Sequence, residues 1–350
     1  MTGTEAAADT PAGTVPSYWT VASDGGIFSF GGAPYYGSEG GQPLNAPIVG
    51  MAATSDRGGY WMVASDGGIF SFGDALFYGS EGGQPLNQPI VGMAPTPGGH
   101  GYWMVARDGG IFTFGDAGFF GSEGGQPLNQ PIVGMAPTPD GQGYWLVAAD
   151  GGIFTFGDAF FYGSEGGQPL NAPIVGMTTT PGGGYFLVAA DGGLFGFGTT
   201  AGEFYGSEGG TPLSAPVVGM ATTPGEAGYW MVGSDGSVYN FGNAGFFGSM
   251  GGTPLVAPMV GIAEADSGRT DATSTDTPDW ACIRLWESGD RYNDPSAPSG
   301  AYGILQSTAA AEGLAWPVSS DSPASQDAAA LDLYAKFGWS PWSTRTICGL

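Results

Sequence analysis

A phrase of about 42 residues that occurs six times constrains the fold of this chain more than any other feature. Each copy contains a tyrosine followed by tryptophan or phenylalanine, and successive copies are 42, 42, 42, 41 and 44 residues apart. The six tyrosines are Tyr18, Tyr60, Tyr102, Tyr144, Tyr185 and Tyr229. A period of this length is typical of one β-propeller blade built from four short strands.

The residues of one copy divide into four predicted strands. The turn "DGG" at 66–68 separates the first two strands, because aspartate and glycine tolerate the positive φ of a tight hairpin. The loop "EGGQPLNQP" at 81–89 precedes the last strand. The predicted strands are "GYWMVAS" at 59–65, "IFSFG" at 69–73, "ALFYGS" at 75–80 and "IVGMAPT" at 90–96.

The repeats begin and end out of phase with the blade. The first "IVGM" follows the first Tyr-Trp pair, whereas the last strand of this type, at 259–265, has no such pair after it. We therefore expect the last strand to complete the blade that starts near Tyr18, which closes the ring and hides the sheet edges. The sequence predicts a six-bladed β-propeller over residues 17–265. The alternative is an open solenoid, which would leave two edges exposed.

The composition favours a turn-dense all-β protein over a disordered one. The chain has 68 glycines and 27 prolines, but 13% of its residues are aromatic, and disordered chains are poor in large apolar side chains. Charged residues make up 11% of the chain, the net charge is -25, and Lys336 is the only lysine. Because Lys and Arg neutralise phosphates, nucleic acid and anionic membranes are disfavoured as partners. Neutral glycans, cations and other proteins remain.

Targeting signals are not evident in the sequence. No run of 18 apolar residues occurs, so no transmembrane helix is predicted. Residues 1–16 lack a basic region followed by an apolar stretch, and they are predicted to be a linker rather than a signal peptide. A secreted protein would carry a signal peptide that is not part of this chain.

Three recurrent residue types are candidates for ligand binding. The aspartate before each glycine turn is predicted to shape that turn. The glutamate of "GSEGG" is a candidate for an acidic ring or a Ca²⁺ site, although no DxDxDG-like loop accompanies it. The tryptophans are predicted to fill gaps between blades, with sugar stacking as the alternative. The aspartates are Asp24, Asp66, Asp108, Asp150, Asp191 and Asp235, and the glutamates are Glu39, Glu81, Glu123, Glu165 and Glu208, with Met250 in the sixth copy.

Composition and periodicity change near Gly268. Residues 266–278 are predicted to be a polar linker, and residues 279–350 show the periodicity of a small, mainly α domain. The only cysteines are Cys282 and Cys348. A disulfide between them would close a loop of about 66 residues and add about 4 kcal/mol of stability in the chain-entropy model. A metal or catalytic thiol is the alternative, although two cysteines make no ligand set.

Two segments resemble known families. The six repeats resemble one found in secreted actinobacterial proteins, which implies a propeller without indicating its ligand. The segments "DWACIRLWESGDRYNDPSAPSGAYGILQ" and "SPASQDAAALDLYAKFGWSPWSTRTICGL" look like the transglycosylase-like domain of actinobacterial resuscitation-promoting factors. This resemblance implies a lysozyme-like fold that acts on peptidoglycan. It places the catalytic glutamate at Glu287 and a substrate-groove element at 303–306.

The chemistry implied for Glu287 requires a carboxylic acid that donates its proton to the glycosidic oxygen. Burial beside apolar rings raises a carboxyl pKa, and Trp286 precedes Glu287 in the sequence. A hydrolase usually adds a second carboxylate, for which Asp290 and Asp294 are candidates. Without it, the sugar's own hydroxyl attacks, as in a lytic transglycosylase. The implied substrate-binding residues are Trp286, Tyr302, Gly303, Gln306 and Trp316, and no metal or cofactor is implied.

The sequence therefore supports two functions. In the first, the protein is a secreted cell-wall enzyme that cleaves the β-1,4 MurNAc-GlcNAc bonds of peptidoglycan through Glu287, and the propeller is a targeting or interaction scaffold. In the second, it is a non-catalytic adhesive, structural or glycan-binding propeller whose C-terminal domain docks on peptidoglycan. Peptidoglycan or another cell-wall glycan is the predicted partner in both, and a propeller face is a candidate surface for a protein partner.

Overall fold

The computed structural model describes residues 16–180, 183–198, 204–223 and 227–266. All regular secondary structure in these ranges is β-strand. The strands run from Pro16 to Asp266, one residue beyond each end of the predicted propeller. The predicted lysozyme-like domain at 279–350 lies outside the described residues, and so do nearly all of the predicted linkers at 1–16 and 266–278.

The strands form six three-stranded antiparallel sheets in a propeller-like arrangement. The inner strands are β3 (Ile48–Ala53), β6 (Ile90–Pro95), β9 (Ile132–Pro137), β12 (Ile174–Thr179), β15 (Val217–Thr222) and β18 (Met259–Asp266). The middle strands are β1 (Pro16–Ala22), β4 (Gly59–Ala64), β7 (Gly101–Ala106), β10 (Gly143–Ala148), β13 (Tyr185–Ala189) and β16 (Gly228–Gly233). The outer strands are β2 (Ile27–Phe30), β5 (Ile69–Gly73), β8 (Ile111–Gly115), β11 (Ile153–Gly157), β14 (Leu194–Phe197) and β17 (Val238–Gly242).

The turn between the middle and outer strands has the predicted conformation. Gly67 adopts a φ of 80°, which glycine reaches without steric strain. The Asp66 side chain accepts a hydrogen bond from the Gly68 amide at 3.0 Å. The equivalent bond recurs in the other five copies, so the repeated aspartates shape the turns as expected.

The prediction of a fourth strand in each blade is wrong. Residues 75–80 belong to none of the sheets that the described residues form. Side chains satisfy this backbone instead of a β partner. The Trp61 indole donates to the Leu76 carbonyl at 2.8 Å, and the Tyr78 amide donates to the Tyr102 hydroxyl at 3.2 Å. Because these bonds replace a ladder, the segment crosses the outer flank of the ring without pairing.

The ring closes through the first and last strands, as predicted. β1 lies between β18 and β2 in one sheet, with Tyr18 opposite Glu264 on one side and Phe30 on the other. Each inner strand also contacts the inner strands of the two neighbouring sheets, and β18 contacts β3. The strands therefore form a closed ring rather than an open solenoid.

The repeat tryptophans fill the gaps between adjacent sheets, as predicted. Trp61 is 1% exposed, and its ring centroid lies 5.8 Å from that of Tyr102 in the next sheet. The same contact joins the sixth sheet to the first, where the Trp230 and Tyr18 centroids are 5.2 Å apart. In the fifth sheet Phe186 takes the place of tryptophan. These buried rings are inaccessible for sugar stacking.

Candidate functional site

A small cavity lies on the central axis of the ring. The inner strands line a space of about 140 Å³, mainly with valine, glycine and methionine. Glycine permits this close approach, because a Cβ added to Gly219 would lie 3.5 Å from the Gly261 Cα of the next inner strand. Ligand pockets usually exceed about 300 Å³, so this cavity is too small for a sugar chain.

The segment at 75–80, which follows an outer strand, is held firmly against the next sheet. The Tyr102 hydroxyl donates to the Gly79 carbonyl at 2.6 Å and accepts from the Tyr78 amide. Gly79 also adopts a φ of 136°, and a Cβ there would lie 2.5 Å from the Phe114 ring. Because side chains on both sides hold this segment, it presents the exposed Phe77 ring to solvent in one defined place.

The tyrosine hydroxyls that hold these segments stay protonated over a wide pH range. Burial raises the pKa of all six repeat tyrosines, and it raises the pKa of Tyr60 to about 12. A protonated hydroxyl can donate a hydrogen bond. Each of the six donates at 2.6 Å to a glycine carbonyl in the segment that follows the outer strand of the neighbouring sheet, which we call the crossing segment. The same anchor therefore operates around the whole ring.

Each crossing segment exposes an aromatic side chain at the same place in the repeat, and two segments also expose a neighbouring ring, Phe160 or Tyr205. The least exposed of the six, Phe161, is 52% exposed, and the most exposed, Phe119, is 62% exposed. We call this set the aromatic belt; it consists of Tyr35, Phe77, Phe119, Phe161, Phe204 and Phe246. Large apolar side chains are rarely this exposed in a regular array on a monomer, and such exposure marks an interaction surface.

Basic residues are scarce around the ring. Arg57 and Arg107 are the only lysine or arginine residues between positions 16 and 266. Arg57 is paired with Glu264 at 2.6 Å, which joins a turn of the second sheet to the closing strand. A surface with so few cations has little attraction for a polyanion.

The repeated glutamates lie beside the turns but form no metal site that the described residues reveal. The Glu81 amide donates to the Gly67 carbonyl at 3.0 Å, which places Glu81 next to the turn that Asp66 shapes. No group of three or more His, Cys, Asp or Glu side chains within the described ranges is arranged to hold a metal ion. One face of the ring therefore carries many separate carboxylates.

The residues predicted to act on a sugar chain lie outside the described residues. This applies to the predicted catalytic residue Glu287 and to both cysteines, Cys282 and Cys348. It applies equally to the predicted substrate-binding residues, which are Trp286, Tyr302, Gly303, Gln306 and Trp316. The described side chains of the candidate site therefore all belong to the ring.

The aromatic belt is not predicted from the sequence, because its segment has the composition of a strand. An alternating strand buries every second side chain, so a strand pattern gives Phe77 no surface role. A usable signal was nevertheless present. The position is aromatic in all six copies, whereas the preceding residue is proline, leucine, glycine, phenylalanine or glutamate. A fixed aromatic beside a variable neighbour indicates a specific requirement at that position.

Comparison with protein-family models and with curated proteins finds no match for this chain. Within the described ranges, no helix is long and apolar enough to cross a membrane.

Proposed function

We propose that the protein binds a neutral cell-wall glycan through the aromatic belt and cleaves peptidoglycan strands through its C-terminal segment. The observation that supports binding is the set of six equivalently placed aromatic side chains, each more than half exposed. Aromatic rings offer apolar faces on which the C–H faces of sugar rings can stack. A glycan strand repeats a small chemical unit, and the belt repeats a small binding unit.

The charge of the ring favours a neutral glycan over other polymers. Polyanions are attracted by Lys and Arg, and the belt is carried by a ring with two arginines, one of which is paired. A neutral sugar chain needs no such attraction. Its C–H faces and the exposed aromatic rings remove apolar surface from water when they stack, which is favourable without any charge.

Six weak contacts on one body also suit an insoluble glycan. Once one belt residue is engaged, a second strand segment is held at a high effective concentration, so the total affinity exceeds that of one contact. Cell-wall glycan presents many parallel strands, and a ring with six equal positions can engage several of them. The propeller would thereby keep the attached C-terminal segment close to its substrate.

The cleavage part of the proposal is supported by the sequence of residues 279–350. That segment resembles a transglycosylase-like domain, and the resemblance implies that Glu287 donates the proton to the glycosidic oxygen. The alternative is a non-catalytic propeller that binds glycan by the belt and whose C-terminal domain only docks on peptidoglycan. The same aromatic side chains favour binding in both versions, so activity decides between them.

We expect Glu287→Gln to abolish cleavage while leaving glycan binding unchanged. A glutamine cannot donate the acid's proton, and loss of general acid catalysis lowers rates by about 100-fold or more. The measurement is release of soluble muropeptides from purified insoluble peptidoglycan by the full chain, with products identified by mass spectrometry. Anhydro ends indicate a transglycosylase, and reducing ends indicate a hydrolase.

The matched control for this experiment is Glu312→Gln, which makes the same change at a glutamate outside both segments that carry the resemblance. It is expected to retain most of the activity. If the folded wild-type chain releases nothing, the cleavage part of the proposal is wrong and the non-catalytic version stands.

A further inference from the structure

One of the six crossover loops, which lead from a crossing segment to the next inner strand, departs from the others. At one position the loops carry a glutamate five times and a methionine, Met250, in the sixth sheet. Near the end of the same loop Val256 replaces a polar residue. The polar residues in the other five copies are Asn45, Asn87, Asn129, Asn171 and Ser214. Both changes make this one loop more apolar, and it lies at the seam where the ring closes.

Val256 contributes no burial to the fold. It is 97% exposed, the most exposed large apolar side chain of the described residues. The other five loops occupy equivalent places in the fold and carry a polar residue at this position, so a valine is not required for folding. An exposed valine in place of an asparagine therefore suggests a contact with something outside the ring.

Val256 lies between two cavities. The larger has a volume of about 730 Å³ and separates the loop from the first sheet, where Phe28 and Asp24 line its opposite wall. The smaller, of about 520 Å³, lies between the loop and the turn that contains Asp235. Residues 254–257 line both. The larger cavity has the size of a typical ligand pocket, and most of its wall is apolar.

The wall of the larger cavity has one acidic group. Asp24 accepts the Gly26 amide through Oδ1 at 3.0 Å, and that bond does not use Oδ2. In the loop between the fifth and sixth sheets, the Ser214 hydroxyl donates to the corresponding aspartate, Asp235, at 2.5 Å. Val256 stands where Ser214 stands in that copy, and it has no donor to offer Asp24.

The surrounding face is acidic. The turn aspartates and the loop glutamates all lie on the side of the ring that carries this cavity, since each glutamate amide bonds a turn glycine. The glutamates lie beside the turns at Glu39, Glu81, Glu123, Glu165 and Glu208. Arg107 is the one lysine or arginine in a turn of this side among the described residues. An acidic face with an apolar pocket is complementary to a positively charged ligand that carries an apolar group.

We propose that this seam cavity binds a basic polypeptide segment by one aliphatic or aromatic anchor side chain. The anchor enters the larger cavity between Val256 and Phe28. Lysine or arginine residues on either side of the anchor face Asp24 and the neighbouring carboxylates. The apolar contact directs the peptide to the Val256 loop and not to the other five loops. The negative charge of the carboxylates attracts the basic peptide to this face of the ring.

The test uses the full chain and a fluorescent lysine-rich peptide with one central leucine, with binding followed by fluorescence anisotropy. The variant Met250→Glu with Val256→Asn gives these two positions the residues found in four of the other five loops. It is therefore expected to fold normally, which circular dichroism checks. We expect the variant to bind the peptide about tenfold more weakly, because burial of an aliphatic group is lost. Replacing the central leucine by serine should weaken binding to the wild type by a similar factor.

A second variant keeps the test specific. Asn87→Val places the same side chain in the loop of the second sheet, where Glu81 is retained. This variant should bind the leucine peptide no more tightly than the wild type does. Added salt should weaken binding of the leucine peptide, because salt screens its attraction to the carboxylates. The proposal is overturned if the leucine and serine peptides bind the wild type equally, if the loop variant binds as the wild type does, or if salt has no effect.

Discussion

A chain that lacks residues 1–22 is expected to lose the cooperative unfolding of the ring. The deletion removes β1, the middle strand of the first sheet, with the fully buried side chains of Tyr18, Trp19 and Val21. Removing large buried side chains costs about 3–5 kcal/mol each for aromatic residues, and burial of valine contributes about 1.5–3 kcal/mol. The sum of about 10 kcal/mol is comparable with the whole stability of a typical protein, about 5–15 kcal/mol.

The loss also affects strands that remain. Without β1, both β2 and β18 have unpaired edges, and such edges promote aggregation. The measurement is thermal unfolding by circular dichroism together with size-exclusion chromatography. A deletion of residues 1–15, which precede β1, is the matched control and should unfold as the full chain does. An equal, cooperative transition in both deletions would show that β1 does not close the ring.

The second large loss of folding stability is expected for Gly115→Ala. Gly115 has a φ of 65°, and an added Cβ would lie 2.1 Å from the His100 carbonyl oxygen. It pairs with Gly101 in the ladder between β7 and β8, so the carbonyl cannot move away without disturbing the sheet. Left-handed strain of about 1–2 kcal/mol and overpacking of about 1–3 kcal/mol together predict a loss of about 2–5 kcal/mol.

Gly125→Ala separates these two causes. Gly125 has a φ of 81°, but nothing lies within 4 Å of an added Cβ. This variant should therefore lose only the strain of the left-handed backbone, about 1–2 kcal/mol. Both variants are compared by denaturant unfolding of the full chain. If the two lose equal stability, the close contact with the His100 carbonyl is not the cause of the larger effect.

The sequence was sufficient to predict the closed ring. Period and phase together required that the last strand pair near Tyr18, and Tyr18 faces Glu264 of that strand. The turn role of Asp66 was also predictable, because an aspartate before two glycines bonds its own backbone in a local way. Features that depend on a few neighbouring residues, or on a repeat, can be derived in this manner.

The sequence was not sufficient to predict the path of the crossing segment. Residues 75–80 have the composition of a strand, but hydrogen bonds from Trp61 and to the hydroxyl of Tyr102 satisfy their backbone. These two residues belong to different sheets. The side-chain hydrogen bonds that take the place of strand pairing can therefore be identified only in the assembled ring. The exposure of Phe77 follows from that assembly and was missed for the same reason.

The loop that contains Val256 gives a further case. Its difference from the other loops is visible in the sequence at Met250, which breaks the glutamate pattern, and at Val256, which replaces a polar residue. The cavity that it lines against the first sheet depends on closure of the ring between distant parts of the chain. A pocket formed by residues more than 200 positions apart has no local sequence signal.

The aromatic belt tests the account most directly. The measurement is co-sedimentation of the full chain with insoluble peptidoglycan, in the Glu287→Gln background so that the glycan is not consumed. Serine in place of Phe77, Phe119 and Phe161 should weaken binding by about tenfold or more, because several contacts of a multivalent surface are lost together. Leu76→Ser, which changes an exposed apolar neighbour outside the belt, should have no effect.

Replacement of all six belt residues should reduce binding further, to the level that residues 279–350 supply on their own, with the fold retained by circular dichroism. That result would establish the ring as the part of the protein that holds glycan. Unchanged binding by the folded six-fold variant would contradict the account.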